Sequence, residues 1–179
     1  GGLEALLAYA PAAGHAAHRA AGAAWIGRTG LKVSPEQVVV TAGAQQAITI
    51  VLSALAKPGE RVLVEQLTYC GLIDAARLLH LPLEGLCMDQ EGVLPEAVDA
   101  ACRAGGARLL SLVPTNQNPT LATMGVARRQ AIVDVARRHD LLIVEDDVYG
   151  YLPEDRPPPI ATLAPERTIY LASASKCMV

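Results

Sequence analysis

Short apolar runs alternate with longer helical segments along almost the whole sequence, and this alternation is the feature that most constrains the fold. Strands that alternate with helices form βαβ units, and parallel strands buried on both faces are near-continuous apolar runs. We therefore predict a three-layer α/β/α fold, with a mostly parallel sheet between two layers of helices. The predicted strands are residues 38–41, 61–65, 83–86, 109–113, 141–145 and 168–172.

Helical periodicity, together with a high content of the helix former alanine, predicts the intervening helices. At 179 residues the chain is long enough for one domain with a sizeable core. The predicted helices are residues 15–28, 44–55, a segment that ends near residue 80, 95–103 and 126–139. The basic pairs of the last helix, Arg128-Arg129 and Arg137-Arg138, are interpreted as solvent-exposed.

Charge and composition exclude several classes of function. A net charge of −3 argues against nucleic-acid binding by this segment itself. Residues 38–56 are uncharged and long enough for a membrane span, but their periodicity changes at Gly43, which favours a strand, a turn and a buried helix. The cysteines are predicted to be small buried residues in a reducing compartment, and the histidines to be surface residues rather than metal ligands. These patterns predict a cytoplasmic protein with no metal site and no membrane segment.

Lys176 follows the last apolar run, within the pattern Ser173-x-x-Lys176. A lysine that is desolvated after a buried strand has a lowered pKa and attacks carbonyl groups, which predicts a carbonyl cofactor. The same spacing occurs in acyl enzymes whose serine is the nucleophile, but that motif opens a helix and has SDN and KTG companions. Neither companion occurs in this chain, so we favour the carbonyl cofactor.

Gly43-Ala44-Gln45 joins a predicted strand to a predicted helix. Free N–H groups at a helix start, together with the helix dipole, form a site suited to a phosphate group. A tight turn without a ligand would have the same sequence, and both interpretations stay open at this point. The segment matches neither the dinucleotide-binding nor the P-loop pattern.

Asp146 and Asp147 end another predicted strand, with Tyr149 close behind. Adjacent carboxylates could form a metal pair, an acid/base pair or simply a solvated strand end. Because neighbouring residues of a strand face opposite ways, only one of them can point into a site. In parallel α/β sheets, ligands bind beyond the carboxyl ends of the strands, where all these segments are expected to lie.

Taken in order, five segments resemble the fold type I enzymes that use pyridoxal 5'-phosphate, in aminotransferase class I/II. The segments are Gly43-Ala44-Gln45, Tyr69, Gln117-Asn118-Pro119-Thr120, Asp146-x-x-Tyr149 and Ser173-x-x-Lys176. More narrowly, Ala13-Gly14-His15, residues 39–47 and residues 145–149 are similar to the aminotransferase-like domain of MocR regulators, which follows a GntR-type winged helix. Free-standing aminoadipate and kynurenine aminotransferases share much of this pattern.

The resemblance implies a catalytic role for Lys176, Asp146 and Tyr69. Lys176 would hold the cofactor as an internal aldimine and later move a proton between the substrate Cα and the cofactor C4′. Asp146 would keep the pyridinium nitrogen protonated, and Tyr69 would stack on the ring.

The remaining cofactor contacts are also implied by the resemblance. Asn118 and Tyr149 would hydrogen-bond the phenolic oxygen of pyridoxal 5'-phosphate. Tyr9 would reach the phosphate of the neighbouring subunit, which implies a homodimer. The phosphate of the same subunit would be bound by Gly43, Ala44, Gln45 and Ser173.

The resemblance further implies that residues 1–179 are an incomplete large, cofactor-binding domain. A small C-terminal domain and any N-terminal winged helix would lie outside this chain, and a start at Gly1 without methionine is consistent with an internal piece. The family also has a seventh, antiparallel strand, which would follow Lys176 and lie between the first and last strands. Without it, we expect the segment alone to aggregate or fold only partly. Leu121 stands where the family usually has glycine, which would alter the loop around the substrate.

Three functions follow from the resemblance. The first is an aminotransferase that moves an amino group from an amino acid to a 2-oxo acid. The second is a cofactor-binding effector domain of a transcriptional regulator, which would contact nucleic acid only through a separate domain. The third is an inactive truncated relic.

Overall fold

A five-stranded parallel sheet forms the centre of the computed structural model, which describes residues 9–177. The strand order is β2-β1-β5-β6-β7, and all neighbouring strands are parallel. These strands are β1 (Arg61–Glu65), β2 (Leu83–Leu86), β5 (Ala107–Leu112), β6 (Leu142–Asp146) and β7 (Thr168–Leu171). A separate antiparallel pair consists of β3 (Met88–Asp89) and β4 (Gly92–Val93). All five carboxyl ends of the parallel strands therefore lie at one edge of the sheet.

Helices cover both faces of the sheet, because alternate strand residues are apolar on both sides. Val62 and Val64 belong to a core cluster with residues of the helices at 44–55 and 70–78, whereas Leu63 belongs to a second cluster on the opposite face, with residues of the helices at 95–103 and 126–138. The three-layer α/β/α prediction is confirmed. The helices are α1 (Ala16–Gly27), α2 (Ala44–Leu55), α3 (Cys70–Leu78), α4 (Pro95–Arg103), α5 (Val126–Arg138) and α6 (Ile160–Leu163), with a 3₁₀ turn at Pro35–Gln37.

The predicted strand at residues 38–41 is wrong, whereas the five other predicted strands are confirmed with ends shifted by two residues at most. Residues 38–41 have no strand partner in the described part of the chain, and the Val40 N–H bonds instead to the Ala13 carbonyl, 3.0 Å away. A cavity of about 760 Å³ separates this segment from β7. A β-branched run becomes a strand only where a neighbouring strand accepts its backbone hydrogen bonds.

Two interpretations of surface residues are also corrected. Arg129 is fully buried rather than solvent-exposed, because backbone carbonyls and a carboxylate surround its guanidinium group. The Arg128 side chain is also largely buried, at 13% exposure, and forms a salt bridge with Asp89. Cys70 and Cys87 are exposed, and the other two cysteines are half-buried, so the prediction of buried thiols is wrong.

Residues 9–177 contain neither a cluster of metal-binding side chains nor a long apolar helix. These residues contain no group of three or more histidine, cysteine or acidic side chains placed to hold a metal ion. Within the same range, every helix is too short or too polar to cross a membrane.

Candidate active site

A cavity of about 280 Å³ opens at the carboxyl edge of the sheet, where α2 begins. It contains nearly all the predicted site residues, although they are far apart in the sequence. Only Ser173 and Tyr9, among the predicted residues, do not line it. The lining consists of Gly43, Ala44, Gln45, Tyr69, Val113, Asn118, Asp146, Val148, Tyr149, Ser175 and Lys176. We call this cavity the site pocket.

The start of α2 presents free backbone donors to the site pocket. Gly43 precedes the helix with φ of +89°, a left-handed conformation that glycine adopts without steric cost, and no side chain of the described residues caps the helix there. The first N–H groups of a helix have no intrahelical acceptor, and the helix dipole gives them a partial positive charge. The Gln45 side chain donates to the Gly71 carbonyl at 2.7 Å, so Gln45 offers the pocket its backbone N–H group. This end of the pocket suits an anion.

Tyr69 is held against the pocket by close packing at the start of α3. A Cβ atom on Gly71 would collide with the Tyr69 ring and with the Gln45 side chain. Glycine at this position therefore lets the aromatic ring lie close to the beginning of α2. The arrangement places a flat apolar surface beside the anion-binding end of the pocket.

Asp146 ends β6 and is almost completely buried in the wall of the pocket. Burial raises its pKa to about 6, the Val148 N–H opposes this shift, and the neighbouring charge of Asp147 adds to it. Its Oδ1 atom is buried and has no hydrogen-bond partner among the described residues. Because an unsatisfied buried carboxylate oxygen is costly, this atom calls for a donor from a molecule bound in the pocket.

Asp147 faces the opposite way, which confirms that only one of the two adjacent aspartates points into the site. Its Oδ2 atom accepts hydrogen bonds from the Tyr170 hydroxyl at 2.6 Å and from Arg156 Nη2 at 2.9 Å. Burial, followed by the nearby Asp147 charge, raises the pKa of Tyr170. Asp147 thus stabilises the turn behind the pocket, whereas Asp146 lines the pocket.

Lys176 lies in the turn that follows β7, and its side chain is exposed at the pocket wall. The expectation of a desolvated lysine is therefore wrong for this structure, because the turn extends past the end of the sheet. Ser173 lines the larger cavity beside β7, and its Oγ lies 2.9 Å from the Oγ of Ser175. Ser175 is the hydroxyl that lines the site pocket, and the sequence pattern pointed to Ser173 instead.

Tyr9 is fully exposed and lies outside the pocket lining. Its predicted contact with the cofactor phosphate of a neighbouring subunit stays a prediction. Val113 and Val148 line the pocket without having been predicted, since an apolar residue beside a strand end carries no chemical signal in the sequence.

The fold and this pocket define a class of protein, and comparison with known proteins identifies it. Residues 3–179 match the family model described as aminotransferase class I and II. The chain belongs to this family. Its members use pyridoxal phosphate as a cofactor.

Among individual relatives, the chain is similar both to enzymes and to regulators. It is 35% identical to the 2-aminoadipate transaminase of Thermus thermophilus, over 98% of this chain and 44% of that protein. It is 33% identical to the HTH-type transcriptional regulator YdeF of Bacillus subtilis, over 86% of this chain and 33% of that protein.

Two solved structures of aminotransferases are also similar to this chain. An archaeal alanine:glyoxylate aminotransferase superposes with a TM-score of 0.88 at 29% identity, over 96% of this chain and 44% of that chain. The α-aminoadipate aminotransferase LysN of Thermus thermophilus, in complex with N-(5'-phosphopyridoxyl)-L-leucine, superposes with a TM-score of 0.86 at 35% identity, over 95% and 44% of the two chains. This chain spans less than half the length of each of these relatives.

The pocket residues fit pyridoxal phosphate. The unpaired Asp146 Oδ1 suits a protonated ring nitrogen, and the free N–H groups at the start of α2 suit a phosphate. Tyr69, Asn118, Tyr149 and Lys176 share the cavity between these two ends. An aromatic cation with an attached phosphate therefore matches the charges and donors of the site.

Proposed function

We propose that this chain is the cofactor-binding part of a pyridoxal-phosphate-dependent aminotransferase, which moves an amino group from an amino acid to a 2-oxo acid. The observation that carries the proposal is the orphaned Asp146 Oδ1, which shares one cavity with Lys176 and the start of α2. Pyridoxal phosphate, when bound, supplies the carbonyl group and the electron-accepting ring that this reaction requires.

Some residues of the chain would bind the cofactor, and Lys176 would also transfer a proton. Asp146 Oδ1 would accept a hydrogen bond from the protonated ring nitrogen and so stabilise the positive charge there. The backbone at Gly43-Ala44-Gln45, with a hydroxyl from Ser173 or Ser175, would bind the phosphate. Tyr69 would cover the ring, and the Asn118 and Tyr149 side chains would hydrogen-bond its phenolic oxygen. Lys176 Nζ would carry the cofactor and move the proton at the substrate Cα.

Residues 1–179 would then be an incomplete large domain within a homodimer, with Tyr9 contributing to the partner's phosphate site. The small domain and the residues that select the amino acid would lie elsewhere in the full protein. A cytoplasmic location is part of the same proposal. The relative named 2-aminoadipate transaminase makes 2-aminoadipate the first substrate to assay.

A regulatory effector domain is the second candidate, and the similarity to HTH-type regulators favours it. In that case binding of an amino acid at Lys176 would be a sensing event for an attached DNA-binding domain. Both functions need the same intact cofactor site, so turnover separates them: sustained production of a 2-oxo acid supports the enzyme. A bound cofactor without turnover supports the regulator.

The test is the absorption spectrum of the full-length protein with pyridoxal phosphate, compared with Lys176→Ala and Lys57→Ala. We expect a visible band that borohydride makes permanent in the parent and in Lys57→Ala, whose lysine is exposed and lies outside the pocket. Lys176→Ala should lack the band. A parent without any band would contradict the proposal and leave the inactive relic as the explanation.

A further inference from the structure

Glu65 is a fully buried carboxylate that lies behind the site pocket at the end of β1. Its Oε2 atom accepts hydrogen bonds from the Val113 N–H at 3.0 Å and from Gln117 Nε2 at 3.2 Å. Burial raises the pKa of Glu65 to about 7. The hydrogen bonds from Gln117 and Val113 oppose this rise, and the nearby Asp146 charge adds to it. Burying a glutamate is energetically costly, so the buried position of Glu65 indicates that its contacts have a function.

Gln117 is equally buried and uses both ends of its amide. Its Nε2 atom donates to Glu65 and also to the Leu67 carbonyl at 2.6 Å. Its Oε1 atom accepts from the Thr120 N–H at 2.9 Å and from the Thr120 hydroxyl at 2.7 Å. One side chain thereby joins the segment that leads to Tyr69 with both sides of the Asn118 loop.

The residues that these bonds fix are next to, or part of, the pocket lining. Val113 and Asn118 line the pocket, and Leu67 is two residues before Tyr69, which lines it as well. Neither Glu65 nor Gln117 lines the pocket. Any effect that they have on a bound molecule must therefore act through the residues they hold.

We propose that Glu65 and Gln117 form a positioning pair, which sets where Asn118 and Tyr69 meet a bound cofactor. The inference rests on the proposed function, because it concerns the same pocket. Without the pair, the Leu67 carbonyl and the Thr120 N–H would lose a buried partner, and the two loops would lose their shared anchor. Asn118 would then move away from the phenolic oxygen of the cofactor.

The test is a double-mutant cycle on the full-length protein loaded with pyridoxal phosphate, with Gln117→Leu, Asn118→Ala and the combined variant. The readout is the pH midpoint of the visible band of the bound cofactor, which responds to a hydrogen bond at the phenolic oxygen. We expect Gln117→Leu to shift this midpoint by about one pH unit, equivalent to a tenfold change in the proton equilibrium. The combined variant should match Asn118→Ala alone, because Gln117 acts through Asn118.

A control separates positioning from general loss of stability. Asp99→Asn weakens a different cluster, in which the buried Asp99 carboxylate binds Arg138 and His139 outside the pocket lining, and it should lower the melting temperature without moving the midpoint. If Gln117→Leu fails to fold, Gln117→Met keeps the length of the side chain while removing the same hydrogen bonds, and it takes the same place in the cycle.

Two results would overturn the positioning pair while leaving the proposed function intact. One is an unchanged midpoint in the Gln117 variant, and the other is a pair of shifts that simply add in the combined variant. A parent protein that forms no visible band would overturn the proposed function, and the positioning pair with it.

Discussion

Glu65 and Glu145 lie on the same face of the sheet, and both are fully buried, yet they have different surroundings. Glu145 accepts two backbone N–H groups, from Ile160 and Ala161, each at 2.8 Å, and lies 3.7 Å from Arg129. Glu65 has one oxygen bound to neutral donors and another without a partner among the described residues. Burial nevertheless raises the pKa of each to about 7.

Burial determines the charge of the two glutamates, whereas their hydrogen-bond partners determine their role. The partners of Glu145 are the start of α6 and a guanidinium group that ties α5 to the loop after β5. Glu145 therefore belongs to the packing of the domain. The partners of Glu65 are loops that approach the site pocket, so Glu65 belongs to the support of the site.

The largest effect should come from Arg129→Met, which removes the buried cation beside Glu145. The guanidinium donates to the Met124, Pro114 and Pro158 carbonyls, and all of these acceptors would lose a partner. Breaking a buried ion pair costs about 3–5 kcal/mol. We expect a loss of this size in the free energy of unfolding, measured with urea. Arg137→Met, at an exposed pair with Glu166, should cost about 1 kcal/mol or less. Equal losses in the two variants would refute the packing role of Arg129.

The second largest effect is the pH dependence of folding stability, which the variant Glu65→Gln tests. Because the folded-state pKa of Glu65 is raised from 4.5 to about 7, its neutral form contributes stability that is fully present below pH 4.5 and is lost as the pH rises through 7. At about 1.4 kcal/mol per pKa unit, the loss is on the order of 3 kcal/mol. We expect the parent to lose more stability between pH 5 and pH 8 than the glutamine variant, by this amount. Parallel stability curves over that range would contradict the shifted titration.

Glu145→Gln should cost less, but its cost should already be present at pH 5. Burial keeps Glu145 protonated at pH 5, where both of its oxygens can still accept, whereas an amide offers one acceptor oxygen, so either the Ile160 or the Ala161 N–H would lose its partner. An unsatisfied buried donor costs about 1–3 kcal/mol. The expected result is a lower melting temperature at pH 5, where Glu65→Gln should leave stability nearly unchanged. A Glu145 variant as stable as the parent at pH 5 would remove the distinction between the two glutamates.

Much of the fold, and most of the site, could be predicted from the sequence because buried parallel strands are continuous apolar runs. Once the strands were placed, their carboxyl ends brought Tyr69, Asn118, Asp146 and Lys176 to one edge. Residues 38–41 have the same local pattern as β6, but within residues 9–177 only β6 has strand neighbours, and a local sequence pattern does not show which strands pair.

The buried charges could not be predicted for a different reason. Two adjacent arginines in a helix indicate a solvent-exposed pair, and the sequence does not show that Arg129 faces the core or that Arg128 is mostly covered. Glu65 ends an apolar run, where a solvated carboxylate is the ordinary expectation. Its burial depends on Gln117, a partner that lies far away in the sequence.

The smallest effect should come from Leu121→Gly, within the loop that Gln117 closes. Leu121 has φ of +63°, a left-handed conformation that is unfavourable for a branched side chain, and its N–H donates to the Gln117 carbonyl at 2.6 Å. Its side chain is 75% exposed, so little apolar burial would be lost. Relief of the left-handed backbone exceeds the extra entropy of an unfolded glycine by a small margin, and we expect a gain of about 1 kcal/mol or less. The melting temperature should rise, and the pH midpoint of the cofactor band should stay unchanged, because the hydrogen bonds of the positioning pair are kept. A shifted midpoint would mean that the side chain of Leu121, and not only the pair behind the pocket, sets the position of Asn118.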